Sequence, residues 1–214
     1  MPLETFEKLP AERQETILAA GIREFSRKSY TDASTDSITK ECNISKGILF
    51  HYFGSKKAFY LYCLERSMER LTQPTEEVAG NDFYEILFDS MTRKMNLCLQ
   101  FSDEMHMVNM ASREAAADVA LQKSEVLQKY MSAVQNESGK ILNRALETLP
   151  MRTEENRQLT AEGLHMYINA VLNHYLARYQ QTPDLFFAHS EEIKQEMKEY
   201  LDLMLYGICG EKAQ

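Results

Sequence analysis

The chain has 214 residues, of which 44% are hydrophobic, and a formal net charge of −8. This length suffices for one large or two small domains, and the hydrophobic share supports a substantial core. The negative net charge excludes a uniformly basic nucleic-acid coat, but the charge is uneven. Residues 1–71 hold 11 Lys and Arg against 10 Asp and Glu, whereas the remainder holds 13 against 22. A near-neutral N-terminal part on an acidic body suits DNA binding confined to one face.

The four cysteines are far apart and form no CxxC pair, and no Cys/His cluster has the spacing of a zinc site. We therefore predict no metal and no cofactor. The sequence shows neither a signal peptide nor an apolar run of membrane length, so we expect a cytoplasmic protein with reduced thiols. A redox sensor would need an exposed thiol of low pKa, for which the sequence offers no sign.

The N-terminal segment begins with a short arm over residues 1–10, which has a proline near each end. The arm could lie on DNA, but Glu4 and Glu7 oppose that, so we predict a frayed terminus. A first helix is predicted over residues 11–28. Its apolar stripe recurs at helical spacing and consists of Ile17, Leu18, Gly21, Ile22 and Phe25.

Residues 34–57, STDSITKECNISKGILFHYFGSKK, predict two short helices joined by a tight turn and followed at once by a third helix. Ser34, Ser45 and Ser55 stand where hydroxyl caps are favoured. Asn43 lies at the turn and tolerates the left-handed conformation better than most non-glycine residues. Gly54 allows a second sharp turn. This spacing is typical of a helix-turn-helix.

The stretch SKGILFHYFGSKKAF resembles the signature of the TetR family of bacterial transcriptional regulators, whose usual pattern is Ser-Lys-Gly-x-Leu-Tyr-x-His/Tyr-Phe-x-Ser-Lys. The preceding ILAAGIREFSRKSYTDASTDSI resembles the family's first helix and the entry to its second. The resemblance covers residues 11 to about 71, roughly a third of the chain. Phe50 stands where the family usually has Tyr, and Ser29 and Asn43 replace glycines at helix ends.

Seven residues are predicted to contact DNA: Thr35, Lys46, Gly47, Ile48, His51, Tyr52 and Lys56. At the start of the recognition helix, Lys46 can donate to guanine, Gly47 permits close approach and Ile48 can meet a thymine methyl group. The resemblance assigns Tyr52 and Lys56 to phosphate contacts.

The rest of the chain predicts helices alone, over residues 55–72, 82–101, 102–117, 118–148, 153–181 and 190–209. The predicted fold is thus all-α, with about nine helices. Residues 1–53 form a helix-turn-helix DNA-binding domain, residues 54–72 a connecting helix, and residues 73–214 a helical ligand-binding and dimerisation domain.

The last two predicted helices carry broad apolar faces, which could pair across a two-fold axis into a four-helix bundle. In proteins that the chain resembles, the dimer forms there. The predicted homodimer interface consists of Leu164, Ile168, Val171, Leu172, Tyr175, Tyr179, Ile193, Met197, Leu201, Leu205 and Ile208. The alternative, in which both faces are buried within one subunit, stays open.

The resemblance also implies a pocket for a small-molecule effector, and methionines between Met91 and Met166 could line it because their side chains adapt to varied apolar ligands. The predicted lining is Met91, Met95, His106, Asn109, Met110, Arg113, Tyr130, His165 and Asn169. Each position has a plainer interpretation, since methionines and lone histidines on apolar helix faces are more often core residues.

The predicted function is a DNA-binding transcriptional regulator, a repressor that binds a near-palindromic operator as a homodimer and is released by a small, largely apolar effector. Two recognition helices would enter major grooves about 34 Å, or a multiple of that distance, apart. The alternative is a helical small-molecule-binding protein or an enzyme in which the turn motif is structural. No HExxH, CxxC, phosphate loop or serine elbow is present, so an enzyme is not predicted.

Overall fold

The computed structural model describes residues 2–74, 77–149, 157–179 and 182–207. These ranges contain helices and no strand, as predicted. The helices are α1 (Pro2–Glu7), α2 (Ala11–Arg27), α3 (Thr35–Glu41), α4 (Lys46–Phe53), α5 (Lys56–Leu71), α6 (Phe83–Gln100), α7 (Ser102–Arg113), α8 (Ala120–Glu147), α9 (Arg157–Tyr179), α10 (Pro183–Ala188) and α11 (Ser190–Tyr206).

Two short helices, α1 and α10, were missing from the predicted nine. Residues 1–10 are not a frayed arm, because α1 inserts the fully buried side chain of Phe6 into the core. In α10, Pro183 opens the helix instead of merely separating its neighbours. Proline is favoured at the first helical position, where its missing N–H costs nothing.

The chain folds into two compact units, residues 1–74 with 97–135 and residues 75–96 with 136–214. The first unit therefore contains the helix-turn-helix together with α7 and the first part of α8. This division differs from the predicted domain boundaries at residues 53 and 72, because α7 packs along α2 and α5. The division into a DNA-binding domain, a connecting helix and a ligand-binding domain stays a prediction.

The core of the first unit depends on a close approach of α2 and α5. A Cβ atom at Gly21 would lie 2.5 Å from the ring of Phe59 and 2.7 Å from the sulfur of Cys63. Both of those side chains are fully buried. Any side chain at position 21 would therefore push the two helices apart.

A buried ion pair ties α7 to α2 and α5 within the same unit. The carboxylate of Glu104 is nearly inaccessible to solvent and accepts from the guanidinium of Arg70 at 2.5 Å. Arg70 also pairs with Glu15. Burial alone would lower the pKa of Arg70, but the two carboxylates outweigh it and raise the pKa. Removing one partner of a buried pair typically costs about 3–5 kcal/mol.

The second unit encloses two apolar clusters, in which the N-terminal part of α6 and the C-terminal part of α8 pack with α9 and α11. The guanidinium of Arg144 donates to the carbonyl oxygens of Val78 and Gly80 at 2.6 and 3.2 Å, which anchors the segment before α6. None of the helices within the described ranges has the length and apolar character needed to cross a membrane.

Candidate nucleic-acid interface

The turn between α3 and α4 is held by backbone conformation and by capping hydroxyls. Asn43 adopts a φ of 50°, which is the left-handed conformation expected for it. Arg13 donates to the Asn43 carbonyl at 3.1 Å. The hydroxyls of Ser34 and Ser45 each accept from the backbone N–H three residues on, at 3.3 and 3.2 Å. The predicted turn and caps are confirmed.

Helix α4 has one face in the core and one face towards solvent. Leu49 and Phe53 are buried and fix the inner face. The helix ends at Gly54, whose φ of 76° favours glycine. Because the inner face is anchored, the outer residues of α4 have a defined direction. Ile48 lies among them with 42% of its surface exposed.

The outer residues of α4 and the neighbouring exposed residues of α3 form a surface that we call the recognition face. It consists of Asp36, Ser37, Lys40, Lys46, Gly47, Ile48 and His51. Four of the seven residues predicted to contact DNA lie on it, namely Lys46, Gly47, Ile48 and His51. The first turn of α4 is the most accessible part of that helix, as in the recognition helix of a helix-turn-helix.

The packing of the chain does not demand glycine at position 47. A Cβ atom there would meet only the hydroxyl oxygen of Ser45, at an ordinary contact distance of 3.7 Å. Glycine inside a helix is less favourable than alanine by about 1 kcal/mol. The missing side chain at Gly47 permits the close approach of another molecule to the backbone of α4.

The recognition face carries one ion pair. The Lys46 ammonium lies 3.1 Å from the Asp36 carboxylate, with the two side chains 48% and 74% exposed. The pair joins the first turn of α4 to the first turn of α3. At such exposure an ion pair contributes about 0–1 kcal/mol to stability.

Three of the predicted DNA contacts lie off the recognition face. Thr35 is buried, with 8% of its surface exposed. The ring of Tyr52 packs edge-on against Phe6, with 5.8 Å between the ring centroids. The Lys56 ammonium donates to the Thr31 carbonyl at 3.2 Å, and burial, opposed by nearby carboxylates, lowers the pKa of Lys56. Their roles at DNA stay predictions.

Helix α1 packs against the buried face of α4, a contact that was not predicted from the sequence. The Phe6 ring lies 4.8 Å from that of Phe53 and 5.6 Å from that of Tyr62, measured between centroids. The Gln14 side chain then donates to the carbonyl of Leu9 at 2.8 Å. The available signal was the three-residue spacing of Phe6 and Leu9 within an otherwise polar segment.

A second contact network holds the segment between α2 and α3. The Tyr30 hydroxyl donates to Asp118 at 2.7 Å, and its backbone N–H donates to Glu114 at 2.6 Å. Burial, followed by the bond to Asp118, raises the pKa of Tyr30 to about 12. The connection between α7 and α8 therefore fixes the entry to the helix-turn-helix, although these acceptors lie more than 80 residues away in sequence.

The predicted effector-binding residues are divided between the two units. His106, Asn109, Met110, Arg113 and Tyr130 belong to the first, and Met91, Met95, His165 and Asn169 to the second. The Tyr130 hydroxyl donates to Glu69 at 3.0 Å. The Nε2 atom of His165 is buried without a hydrogen-bond partner in the described part of the chain.

Seven of the predicted interface residues are buried inside the second unit: Leu164, Ile168, Val171, Tyr175, Ile193, Met197 and Leu201. Tyr179 and Leu205 are half-buried, while the side chain of Leu172 and the whole of Ile208 lie outside the described residues. The large apolar side chains that α9 and α11 leave exposed are a different set, which we call the exposed stripe: Leu159, Met166, Tyr200, Leu203, Met204 and Tyr206.

The capped turn, the buried inner face of α4 and its accessible first turn define a helix-turn-helix protein. Residues 17–63 match the family model of the bacterial regulatory proteins of the tetR family. Over these residues the chain is similar to the DNA-binding domain of that family.

Two curated relatives come from Bacillus subtilis (strain 168). The chain is 28% identical over 139 residues to the uncharacterized HTH-type transcriptional regulator YerO, a match that covers 63% of this chain and 46% of that protein. It is 40% identical over 53 residues to the uncharacterized HTH-type transcriptional regulator YuxN, covering 25% of this chain and 18% of that protein. Each match thus spans less than half of the relative's length.

Solved structures of similar fold include a TetR family transcriptional regulator from Chloroflexus aurantiacus J-10-FL. It is 18% identical, has a TM-score of 0.52, and the match covers 94% of this chain and 95% of that one. A TetR-like transcriptional regulator from Rhodococcus sp. RHA1 is 20% identical with a TM-score of 0.53, covering 95% and 100%. At these identities the likeness concerns the fold.

Proposed function

We propose that this chain regulates transcription by binding a near-palindromic operator in double-stranded DNA as a homodimer, that it acts as a repressor, and that a small, largely apolar effector releases it. The match of residues 17–63 to the tetR family model supports the regulatory role, and the recognition face supports the choice of DNA as partner.

The observation that carries the proposal is the outer face of α4. Lys46, Gly47, Ile48 and His51 are all exposed, whereas Leu49 and Phe53 anchor the same helix to the core. At the start of this helix, the Lys46 ammonium can donate to a base edge, and Gly47 lets the backbone come close to the DNA. Ile48 supplies an apolar group that can contact a thymine methyl group. Within the chain, Lys46 pairs with the exposed Asp36 and the centroid of the His51 ring lies 5.8 Å from that of Tyr52, but none of the four groups is buried.

The exposed stripe supports the homodimer. Met166 and Leu203 have 68% and 52% of their surfaces exposed. Tyr167, which follows Met166, donates its hydroxyl to the carbonyl of Tyr200 at 2.9 Å, so the stripe runs over adjoining helices. Exposed apolar patches of this kind mark interaction surfaces. A second copy would cover the stripe, and two recognition helices would then hold the operator against competing genomic sites.

Two features of the second unit support the effector. Met91 packs against the apolar cluster that contains Val171 and Tyr175, and a methionine side chain adapts readily to varied apolar neighbours. A polar group of an effector would satisfy the buried Nε2 atom of His165, which has no hydrogen-bond partner in the described residues. Effector and operator would weaken each other's binding reciprocally, by about 1–3 kcal/mol.

A gel shift with the DNA upstream of the protein's own gene tests the proposal. We expect a shifted band with the wild type and none with the double variant Lys46→Ala/His51→Ala. Lys140→Ala, at an exposed residue of α8, is the matched control and should bind as the wild type does. Lys56→Ala should reduce the slope of log affinity against log salt by about one.

Failure of the wild type to prefer this DNA over a scrambled duplex would contradict the regulatory role at that operator. The helical binding protein or enzyme, with a purely structural turn, would then be favoured.

A further inference from the structure

An exposed carboxylate is unexpected on a surface that meets DNA. Phosphates surround the double helix with negative charge, so Asp36 weakens attraction to any sequence. The weak stabilisation by an exposed ion pair does not explain its position. Asp36 nevertheless lies in the first turn of α3, with its carboxylate 3.1 Å from the Lys46 ammonium.

The major groove also presents hydrogen-bond donors, and a carboxylate suits one of them. Asp accepts from the N4 amino group of cytosine, while Lys donates to O6 and N7 of guanine. A carboxylate on the recognition face can therefore accept a hydrogen bond from cytosine N4, which an apolar side chain cannot do.

We infer that Asp36 and Lys46 together read one G·C base pair in each half of the operator, with Lys46 donating to guanine and Asp36 accepting from its paired cytosine. This inference rests on the proposed function and identifies one base pair that the recognition face selects.

The spacing of the two groups supports the inference. Within a G·C pair, guanine O6 and cytosine N4 are joined by a hydrogen bond and lie about 2.9 Å apart. The protein's donor and acceptor lie 3.1 Å apart. The two groups can therefore meet neighbouring base edges simultaneously without separating from each other.

The ion pair also prepares Lys46 for this contact. A lysine side chain loses considerable rotamer freedom when it is fixed at an interface. In the chain alone, Lys46 is already directed by Asp36, and Ser45 caps the helix turn from which it projects. The neutralised ammonium is also a weaker partner for phosphates at random sites, which favours base contacts over backbone contacts.

The polarity of the pair predicts a ranking of base pairs. Relative to G·C, a C·G pair places an amino group opposite Lys46 and a carbonyl oxygen opposite Asp36, so both contacts are lost. An A·T pair makes the same exchange but keeps a purine N7 acceptor on the lysine side. A T·A pair restores the order of acceptor and donor but lacks the N7 acceptor of guanine on the lysine side. We expect affinity to fall in the order G·C, T·A, A·T, then C·G.

The test begins with the wild-type full chain and a library of randomised DNA duplexes, from which bound sequences are enriched. Fluorescence anisotropy then measures the affinity for four duplexes that differ only at the enriched G·C pair. We expect the wild type to prefer G·C over C·G by roughly 5- to 150-fold. Asp36→Ala and Asp36→Asn should each reduce this ratio at least fivefold.

A charge-matched control separates the position of Asp36 from its charge. Glu12→Gln removes one exposed carboxylate from α2 and should leave the ratio unchanged. If Asp36→Ala strengthens binding to all four duplexes by the same factor, the carboxylate only restrains non-specific binding, and the inference is overturned. Sequence preference in the wild type would still support the proposed function in that case, whereas a wild type without DNA binding would overturn both.

Discussion

The recognition face and the exposed stripe are two exposed surfaces of the described residues, and their chemistry is opposite. The recognition face is small and polar, with Lys40, Lys46 and His51 around a single apolar side chain, Ile48. The exposed stripe consists of large apolar and aromatic side chains on α9 and α11. The first suits a hydrated polyanion, and the second suits another apolar surface.

The two surfaces differ in how buried residues determine which side chains of the helix face solvent. On α4, two buried residues determine which side chains point outward, so a helix of eight residues suffices to present the face. On α11, Ile193, Met197 and Leu201 occupy the interior, while Leu203 and Met204 lie outside. Apolar residues of one helix therefore fall into a buried set that stabilises the fold and an exposed set that is available for the proposed association.

The largest effect should come from charging the interior of the second unit. Leu201 is fully buried in its core, so Leu201→Glu would place a carboxylate among apolar side chains. Even truncation of a buried leucine costs about 2–5 kcal/mol, and an unpaired buried charge adds to that loss. We expect loss of helical circular dichroism or a lowered melting temperature. A well-folded Leu201→Glu monomer would instead favour an interface role for this residue.

The second largest effect should come from removing the packing of α1 against α4, the helix that carries most of the recognition face. Phe6→Ala removes a buried ring that packs on Phe53 and Tyr62, and such truncations cost about 3–5 kcal/mol. We expect weaker DNA binding together with lower stability in urea. Leu3→Ala, at an exposed residue of the same helix, is the control and should change neither by much. Wild-type stability in Phe6→Ala would contradict the packing of α1.

Local chemistry explains which parts of this arrangement could be predicted from the sequence. The starts of α3, α4 and α5 were predicted because Ser34, Ser45 and Ser55 each bond to a backbone N–H only three residues away. The turn at Asn43 was equally local. Helix α1 was missed because the burial of Phe6 depends on aromatic rings more than 40 residues further along the chain.

On the apolar helix α11, sequence periodicity alone could not predict which residues are buried within the chain. A 3.6-residue period identifies an apolar face on α11 but not the molecule that covers it. The period placed Leu201 and Leu205 in a predicted interface, yet the structure places Leu201 in the core of the single chain. It gave no reason to choose Leu203, which is 52% exposed. Only three-dimensional packing distinguishes these neighbours.

A substitution two residues from Leu201 should therefore act on association and leave the fold intact. We expect Leu203→Glu to retain the wild-type circular dichroism spectrum but to form monomers, because two-fold symmetry introduces the charge twice into the interface. Light scattering over a range of concentrations measures this. Gln195→Glu, an exposed polar position of the same helix, is the control for added charge. A dimeric Leu203→Glu variant would locate the interface elsewhere.

The smallest effect concerns the alkaline behaviour of the first unit. Burial and the bond to Asp118 raise the pKa of Tyr30 to about 12, whereas tyrosine in an unfolded chain ionises near pH 10. Below about pH 10 both states keep the proton. Between about pH 10 and 12 the unfolded state loses it first, so the free energy of unfolding falls as pH rises.

Tyr30→Phe should remove this contribution. The difference in the free energy of unfolding between wild type and variant should be constant below about pH 10 and should shrink above it, while contributions from other tyrosines cancel in the difference. Urea unfolding at several values from pH 8 to 11 measures it. Asp118→Asn retains the shape of the acceptor but not its charge and should weaken the same pH dependence. Parallel curves for wild type and Tyr30→Phe would mean that this hydrogen bond does not stabilise the segment between α2 and α3.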